Sequence, residues 1–162
     1  MSRLLVLLRH AKAENALGIA DFDRPLTSRG ENDSRAAGLW LRTQGHLPDL
    51  VICSAARRAR HTWKYAAAGL GAAPEVRYRR EVYQAAHPDD LLEVIRSAPA
   101  SAEVLVVVGH NPTLETLSAR LDPGGGPTGG LRTAGIAVHE VARKWVELDS
   151  GSAPLTVSHV AR

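Results

Sequence analysis

Two histidines and several arginines stand where apolar runs stop, and their side chains are the ones that could do chemistry. Arg9-His10-Ala11 closes the run Leu4 to Leu8, and Gly109-His110-Asn111-Pro112 closes the run Val104 to Val108. Ser54-Ala55-Ala56-Arg57-Arg58-Ala59-Arg60-His61-Thr62 follows the run Leu50 to Cys53, and Arg24-Pro25 sits in a polar stretch between them. A pair of imidazoles could bind a metal, but arginines repel a cation and no Asp or Glu accompanies either histidine in sequence. A Ser-His-Asp hydrolase would want a serine on a Gly-x-Ser-x-Gly elbow, which is missing. Arginines around imidazoles suit a phosphoryl group better: guanidinium forks match its oxygens, and an imidazole nitrogen can attack phosphorus. The bland alternative is that Arg9 and His10 simply cap a core strand in solvent, and that Arg24 is a solvated turn residue.

The elements that must position these side chains follow from the pattern. Five-residue apolar runs read as strands buried on both faces. Leu4–Leu8, Leu47–Cys53 and Val104–Val108 are expected strands, with Val104–Val108 central, and Glu75–Tyr78 is a shorter one. In open α/β sheets the carboxyl rim is where ligands bind, and that is where Arg9, His10 and His110 would emerge. Thr27 is a plausible N-cap for a helix to about Gln44, with Ala36, Leu39, Trp40 and Thr43 on its inward face. A second helix runs on from the Ser54–Thr62 stretch, with Ala59, Thr62, Ala66 and Leu70 inward and Gly71 ending it. Helical spacing puts Arg58 one turn from Ser54 and Thr62, beside a helix amino terminus that favours anions. Arg57, Arg60 and His61 fall on other faces. Glu81 to Ala86 reads as a loop. Pro88 opens a helix with Asp89 and Asp90 in its first turn and His87 just before it. Asn111 can cap a helix beginning at Pro112, with Leu114, Leu117 and Leu121 on one face. Pro123 to Gly130 is a loop, lacking the lysine of a phosphate-binding P-loop. Leu131–Val141 and Leu155–Val160 read as strands with His139 and His159 on their faces.

Composition narrows the classes. The chain has 162 residues, 44% hydrophobic and 23% charged, which suits one globular domain spanning 1–162 and excludes a disordered chain. A net charge of +3 suits an anionic ligand, whereas 4% aromatic residues are too few for a nucleic-acid stacking platform. Cys53 is alone, so neither an intrachain disulfide nor a thiolate metal site can form. The amino-terminal apolar run is too short for a signal-peptide core or a membrane span, so a cytoplasmic protein with no membrane partner is expected. A monomer with no nucleic-acid partner is expected as well.

Together the motifs resemble the histidine phosphatase superfamily (phosphoglycerate mutase-like). These are Arg9-His10-Ala11, Ser54-x-x-x-Arg58-Ala59-x-x-Thr62 and Gly109-His110-Asn111-Pro112. The family's usual first motif is Arg-His-Gly, and Ala11 is a variant of it. Arg24-Pro25-Leu26-Thr27-x-x-Gly30 resembles the SixA-type phosphohistidine phosphatase branch. Strands alternating with helices up to Leu121, followed by a hairpin-like ending, predict a three-layer α/β/α sandwich with a mostly parallel central sheet and an antiparallel edge, as in phosphoglycerate mutase-like proteins. The resemblance implies His10 as nucleophile, Arg9, Arg58 and Arg24 around the phosphoryl oxygens, His110 completing the pocket and Asn111 lining it. No metal or other cofactor is implied. The implied partner is a phosphorylated protein carrying phosphohistidine, or a small phosphorylated substrate. A non-catalytic phosphate- or phosphoprotein-binding module is the alternative from another class. Larger relatives carry a carboxylic acid that protonates the leaving group; near its expected place stand Tyr83 and Gln84, with Glu81 close by and no clear acid.

Overall fold

The computed structural model describes residues 2–15, 17–127 and 129–160. Ala16, in the polar segment before Asp23, and Thr128, in the expected 123–130 loop, lie outside the described residues. Six strands form one sheet: β1 (Arg3–Arg9), β2 (Leu50–Ser54), β3 (Glu75–Arg79), β4 (Val104–Gly109), β5 (Gly135–Val141) and β6 (Leu155–Val160). Their order is β3-β2-β4-β1-β5-β6. β3, β2, β4 and β1 pair in parallel, while β5 runs antiparallel to β1 and β6 antiparallel to β5. This is the mostly parallel sheet with an antiparallel edge.

The apolar runs at the sheet's centre are continuous because both faces are covered. In β1, Leu5 and Leu7 face one core, with α3 (Arg80–Gln84), α4 (Pro88–Arg96) and α5 (Thr113–Leu121) above it. Val6 and Leu8 face the other, under α1 (Ser28–Thr43) and α2 (Arg57–Leu70). All four side chains are fully buried. At ~1.5–3 kcal/mol each, their burial makes β1 costly to unpair.

Some expected boundaries move. β2 starts at Leu50 and leaves Leu47 exposed, and β5 starts at Gly135 rather than Leu131. Glu81–Ala86 is not a loop: residues 80–84 form α3, which buries Val82 against the core. The inward face of α1 also differs. Gly30, Ser34, Ala37, Gly38 and Leu41 are buried, while Leu39 is 54% exposed. Small residues win this face because α1 lies close on α2: a Cβ on Gly38 would overlap the Ala66 carbonyl, and one on Gly69 the Arg35 carbonyl. Trp40 is only partly covered, and the His159 ring stacks on it at 4.6 Å. α2 buries Ala59, Thr62, Ala66 and Leu70 as its spacing predicts, and Gly71 ends it at φ 72°. Among the described residues no helix is long and apolar enough to cross a membrane.

Candidate active site

β1 and β4 are neighbours paired residue for residue, with Arg9 opposite Gly109. The residue after each strand is a histidine, so the two rings leave the sheet side by side. Their centroids are 5.2 Å apart and their planes are tilted by 52°. The chain turns from β1 toward α1 on one face and from β4 into α5 on the other. The two histidines therefore sit at a switch point, where a sheet of this kind opens a crevice. Asn111 fixes the start of α5: its Oδ1 accepts from the Glu115 N–H, and its Nδ2 donates to the Leu131 carbonyl. Arg9 Nη1 donates to the same carbonyl.

The Arg24 segment reaches the crevice by pairing with the chain just after His10. Glu14 N–H donates to the Pro25 carbonyl, Thr27 N–H donates to the Lys12 carbonyl, and Ala13 bridges Leu26. Thr27 caps α1 by accepting from the Gly30 N–H at 3.0 Å. Gly30 has to be glycine here, because a Cβ would overlap the Lys12 carbonyl. Arg24 then donates to the Glu14 carbonyl and Asn15 Oδ1.

Arg58 enters from the first turn of α2. Thr62 Oγ1 donates to the Arg58 carbonyl and accepts from the Ala11 N–H, which ties this turn to the residue after His10. Arg58 is 6% exposed. A cavity of about 260 Å³ results, lined by Arg9, His10, Arg24, Arg58, His110 and Asn111 and extended by Lys12, Asn15 and Thr133. All six residues singled out from the sequence converge on it. Arg57 is exposed on α2's outer side, Arg60 donates to the Ala55 carbonyl, and neither it nor His61 lines the cavity.

Charge and hydrogen bonding set the protonation of both rings. His10 Nδ1 lies 2.8 Å from the Ala11 carbonyl, which can only accept, so Nδ1 carries the proton and Nε2 the lone pair. Burial, reinforced by Arg58, Arg9 and Arg24, lowers the His10 pKa to about 4 despite the Ala11 hydrogen bond. Burial also lowers His110 to about 3, with His10 and Arg58 adding to it. Both rings are neutral at pH 7. His110 Nε2 lies 2.7 Å from Ser54 Oγ, which itself accepts from the Ala56 N–H. No other acceptor meets the Ser54 hydroxyl among the described residues, so its proton points to Nε2 and the ring proton sits on Nδ1. Three buried groups of this cluster have no hydrogen-bond partner among the described residues: Arg9 Nε, Arg58 Nε and His110 Nδ1.

Residues 5–82 match the model of the histidine phosphatase superfamily, branch 1. A candidate phosphohistidine phosphatase SixA from Nakamurella multipartitia superposes with a TM-score of 0.86 at 36% identity, over 99% of this chain and 97% of that one. The chain belongs to the histidine phosphatase superfamily. Within it, the likeness is to the SixA branch: a second candidate SixA, from Agrobacterium tumefaciens, matches at 29% identity with a TM-score of 0.80 over 98% of each chain. An uncharacterised protein of Mycobacterium tuberculosis is 38% identical over 96% of this chain and all of its own length. The family match ends before His110, so the tie between His110 and the matched motifs is the geometry of β1 and β4.

The contacts that three residues of this histidine phosphatase make in the site were not legible in its sequence. Ser54 reads as a strand end, and only the fold brings it to His110. Tyr83 comes from α3, and its ring packs edge-on against His110 at 5.7 Å and 72°. Asp21 sits in a short 3₁₀ turn (Asp21–Asp23) and accepts from Arg24, Arg58 and Tyr83. Its only sequence signal is its place three residues before Arg24, too common a spacing to single it out. Glu81 and Gln84, near the expected place of an acid, line a different cavity of about 380 Å³ beside α4, which shares no residue with the histidine pocket.

Proposed function

We propose that this protein is a metal-independent phosphohistidine phosphatase working through a phosphorylated His10. The observation that carries this reading is the His10 ring itself. Its Nδ1 is committed to the Ala11 carbonyl, its Nε2 is unprotonated, and Arg9, Arg24 and Arg58 surround it in one cavity. In the first half-reaction the Nε2 lone pair attacks phosphorus, the bond from phosphorus to the leaving group breaks, and phospho-His10 forms. In the second, water attacks the same phosphorus, orthophosphate leaves and neutral His10 is restored. The guanidinium groups carry the charge spreading over the phosphoryl oxygens, and the His110 Nδ1–H is a donor to one of them.

The choice of phosphohistidine rests on the leaving group. An alkoxide needs a proton as it departs, whereas a protonated phosphohistidine releases neutral imidazole. Asp21 is held below the usual carboxylate range: burial pushes it up, but Tyr83, Arg58 and Arg24 outweigh that. Glu81 is also held low, chiefly by a backbone hydrogen bond and by Arg79. Neither retains a proton at neutral pH, which favours a phosphoramidate over an unactivated phosphoester. The test is kcat/KM across a phosphohistidine peptide, phosphoserine and phosphotyrosine peptides and sugar phosphates, with acid-labile labelling of His10. Preference for the phosphohistidine peptide, and a label abolished in His10→Ala, are expected. A preference for sugar phosphates would overturn the substrate, and an unlabelled wild-type protein would overturn the mechanism.

A further inference from the structure

Asp21 has no place in the steps above, yet its carboxylate joins Arg24, Arg58 and Tyr83. Its Oδ1 accepts from Arg24 Nε at 3.2 Å. Its Oδ2 accepts from Arg58 Nη2 at 3.2 Å and from the Tyr83 hydroxyl at 2.8 Å, and its main-chain carbonyl accepts from Arg58 Nη1 at 2.7 Å. The three partners come from three segments: the chain after β1, the first turn of α2, and α3. Both arginines line the histidine pocket; Asp21 does not.

Two guanidinium groups brought to one cavity repel each other, and a buried one is unfavourable without a counter-charge. A carboxylate shared between them removes both problems and fixes the angle from which each approaches the cavity. The same carboxylate anchors Tyr83, whose ring touches His110 and lies 6.0 Å from the Arg58 guanidinium. We propose that Asp21 is a positioning residue for phosphoryl transfer, acting through Arg24 and Arg58 to hold both guanidinium groups where a five-coordinate phosphorus needs them. This rests on the phosphatase reading and extends it. The competing view is that Asp21 is a surface ion pair, its side chain 56% exposed, that merely steadies the 3₁₀ turn.

Orthovanadate and orthophosphate separate the two. Vanadate adopts the five-coordinate geometry of the transition state, whereas phosphate remains tetrahedral. Binding of each would be measured by calorimetry to wild type, Asp21→Asn and Asp21→Glu. Asp21→Asn should cut the preference for vanadate over phosphate by about tenfold or more, within the ~10²-fold that a 1 Å misplacement can cost. Asp21→Glu, which keeps the charge, should recover most of it. With p-nitrophenyl phosphate as substrate, kcat should fall more than KM rises. Tighter binding of both anions by the same factor would mean that only a negative charge had been removed, and equal weakening would mean that only the turn had loosened; either overturns the proposal. If Asp21→Asn does not fold, Tyr83→Phe removes one bond to the same oxygen and should lower the vanadate preference by a smaller factor; no change overturns the proposal. A wild-type protein that binds neither anion defeats this inference and the phosphatase reading together. Wild-type binding with an unchanged ratio in Asp21→Asn defeats this inference alone.

Discussion

His139 and the His10–His110 pair are all imidazoles placed by the central strands, His139 and His10 buried and His110 half-buried, and they differ in what their second nitrogen meets. His139 is fully buried in β5, with Nε2 on Ser118 Oγ at 2.7 Å and Nδ1 on the Ala153 carbonyl at 2.8 Å. Both nitrogens are satisfied, and the ring ties β5 to α5 and to the segment before β6. Among the described residues His110 has Nε2 on Ser54 and no partner for Nδ1, while His10 has Nδ1 on Ala11 and no hydrogen bond at Nε2. Burial lowers the pKa of all three. Burial alone therefore does not mark a reactive imidazole. A half-satisfied ring among guanidinium groups does.

The contrast breaks if the two kinds of histidine respond alike to removal. His10→Ala should abolish turnover and leave no acid-labile label when a phosphodonor is added, with the fold retained by circular dichroism. His110→Ala should lower kcat by ~10²–10³-fold, the usual cost of one donor aimed at developing charge. Ser54→Ala keeps both rings but frees the His110 tautomer, and should lower kcat about tenfold, the rate equivalent of one hydrogen bond worth ~1.4 kcal/mol. His139→Ala should leave kcat within about twofold per folded molecule while lowering the unfolding free energy by roughly 1–3 kcal/mol, since it orphans a buried hydroxyl and a carbonyl. Loss of activity without loss of stability in that variant would erase the distinction.

Titration sharpens the same comparison. The folded values of about 4 for His10 and about 3 for His110 lie below the 6.5 of free imidazole. As pH falls below about 6.5 the unfolded chain takes up protons first, so the stabilising contribution of the neutral rings is complete above that value. It is lost progressively toward pH 4 and below. Ring resonances of His10 should thus titrate far below those of a free histidine, and the urea midpoint should drop steadily from pH 6.5 to pH 4. A His10 that titrates near 6.5 would mean that its Nε2 is not the poised nucleophile described above.

The central strands and the two imidazoles were legible because each rests on a local signal: an apolar run, then a polar residue at its end. Arg58 was legible because helical spacing carries it one turn from Ser54. The inward face of α1 was not, since hydrophobicity pointed to Leu39 and Trp40 while the close approach of α2 demanded Gly38 and Ser34. α3 was missed because five residues around one buried valine give no period to read. The contacts of Asp21 with Arg58 and of Ser54 with His110 escaped for another reason: the partners lie 37 and 56 residues apart in the chain, and only the folded sheet brings them together.

The residue-for-residue pairing of β1 with β4 mounts the two rings on adjacent, buried strands at the centre of the sheet. Their mutual distance should survive every fluctuation short of global opening, whereas Arg24 rides on a bridge of a few hydrogen bonds to residues 12–14. In rising urea, oxyanion affinity should fade first and the spacing of the imidazoles last, so the protein would lose its grip on the ligand before it loses its nucleophile.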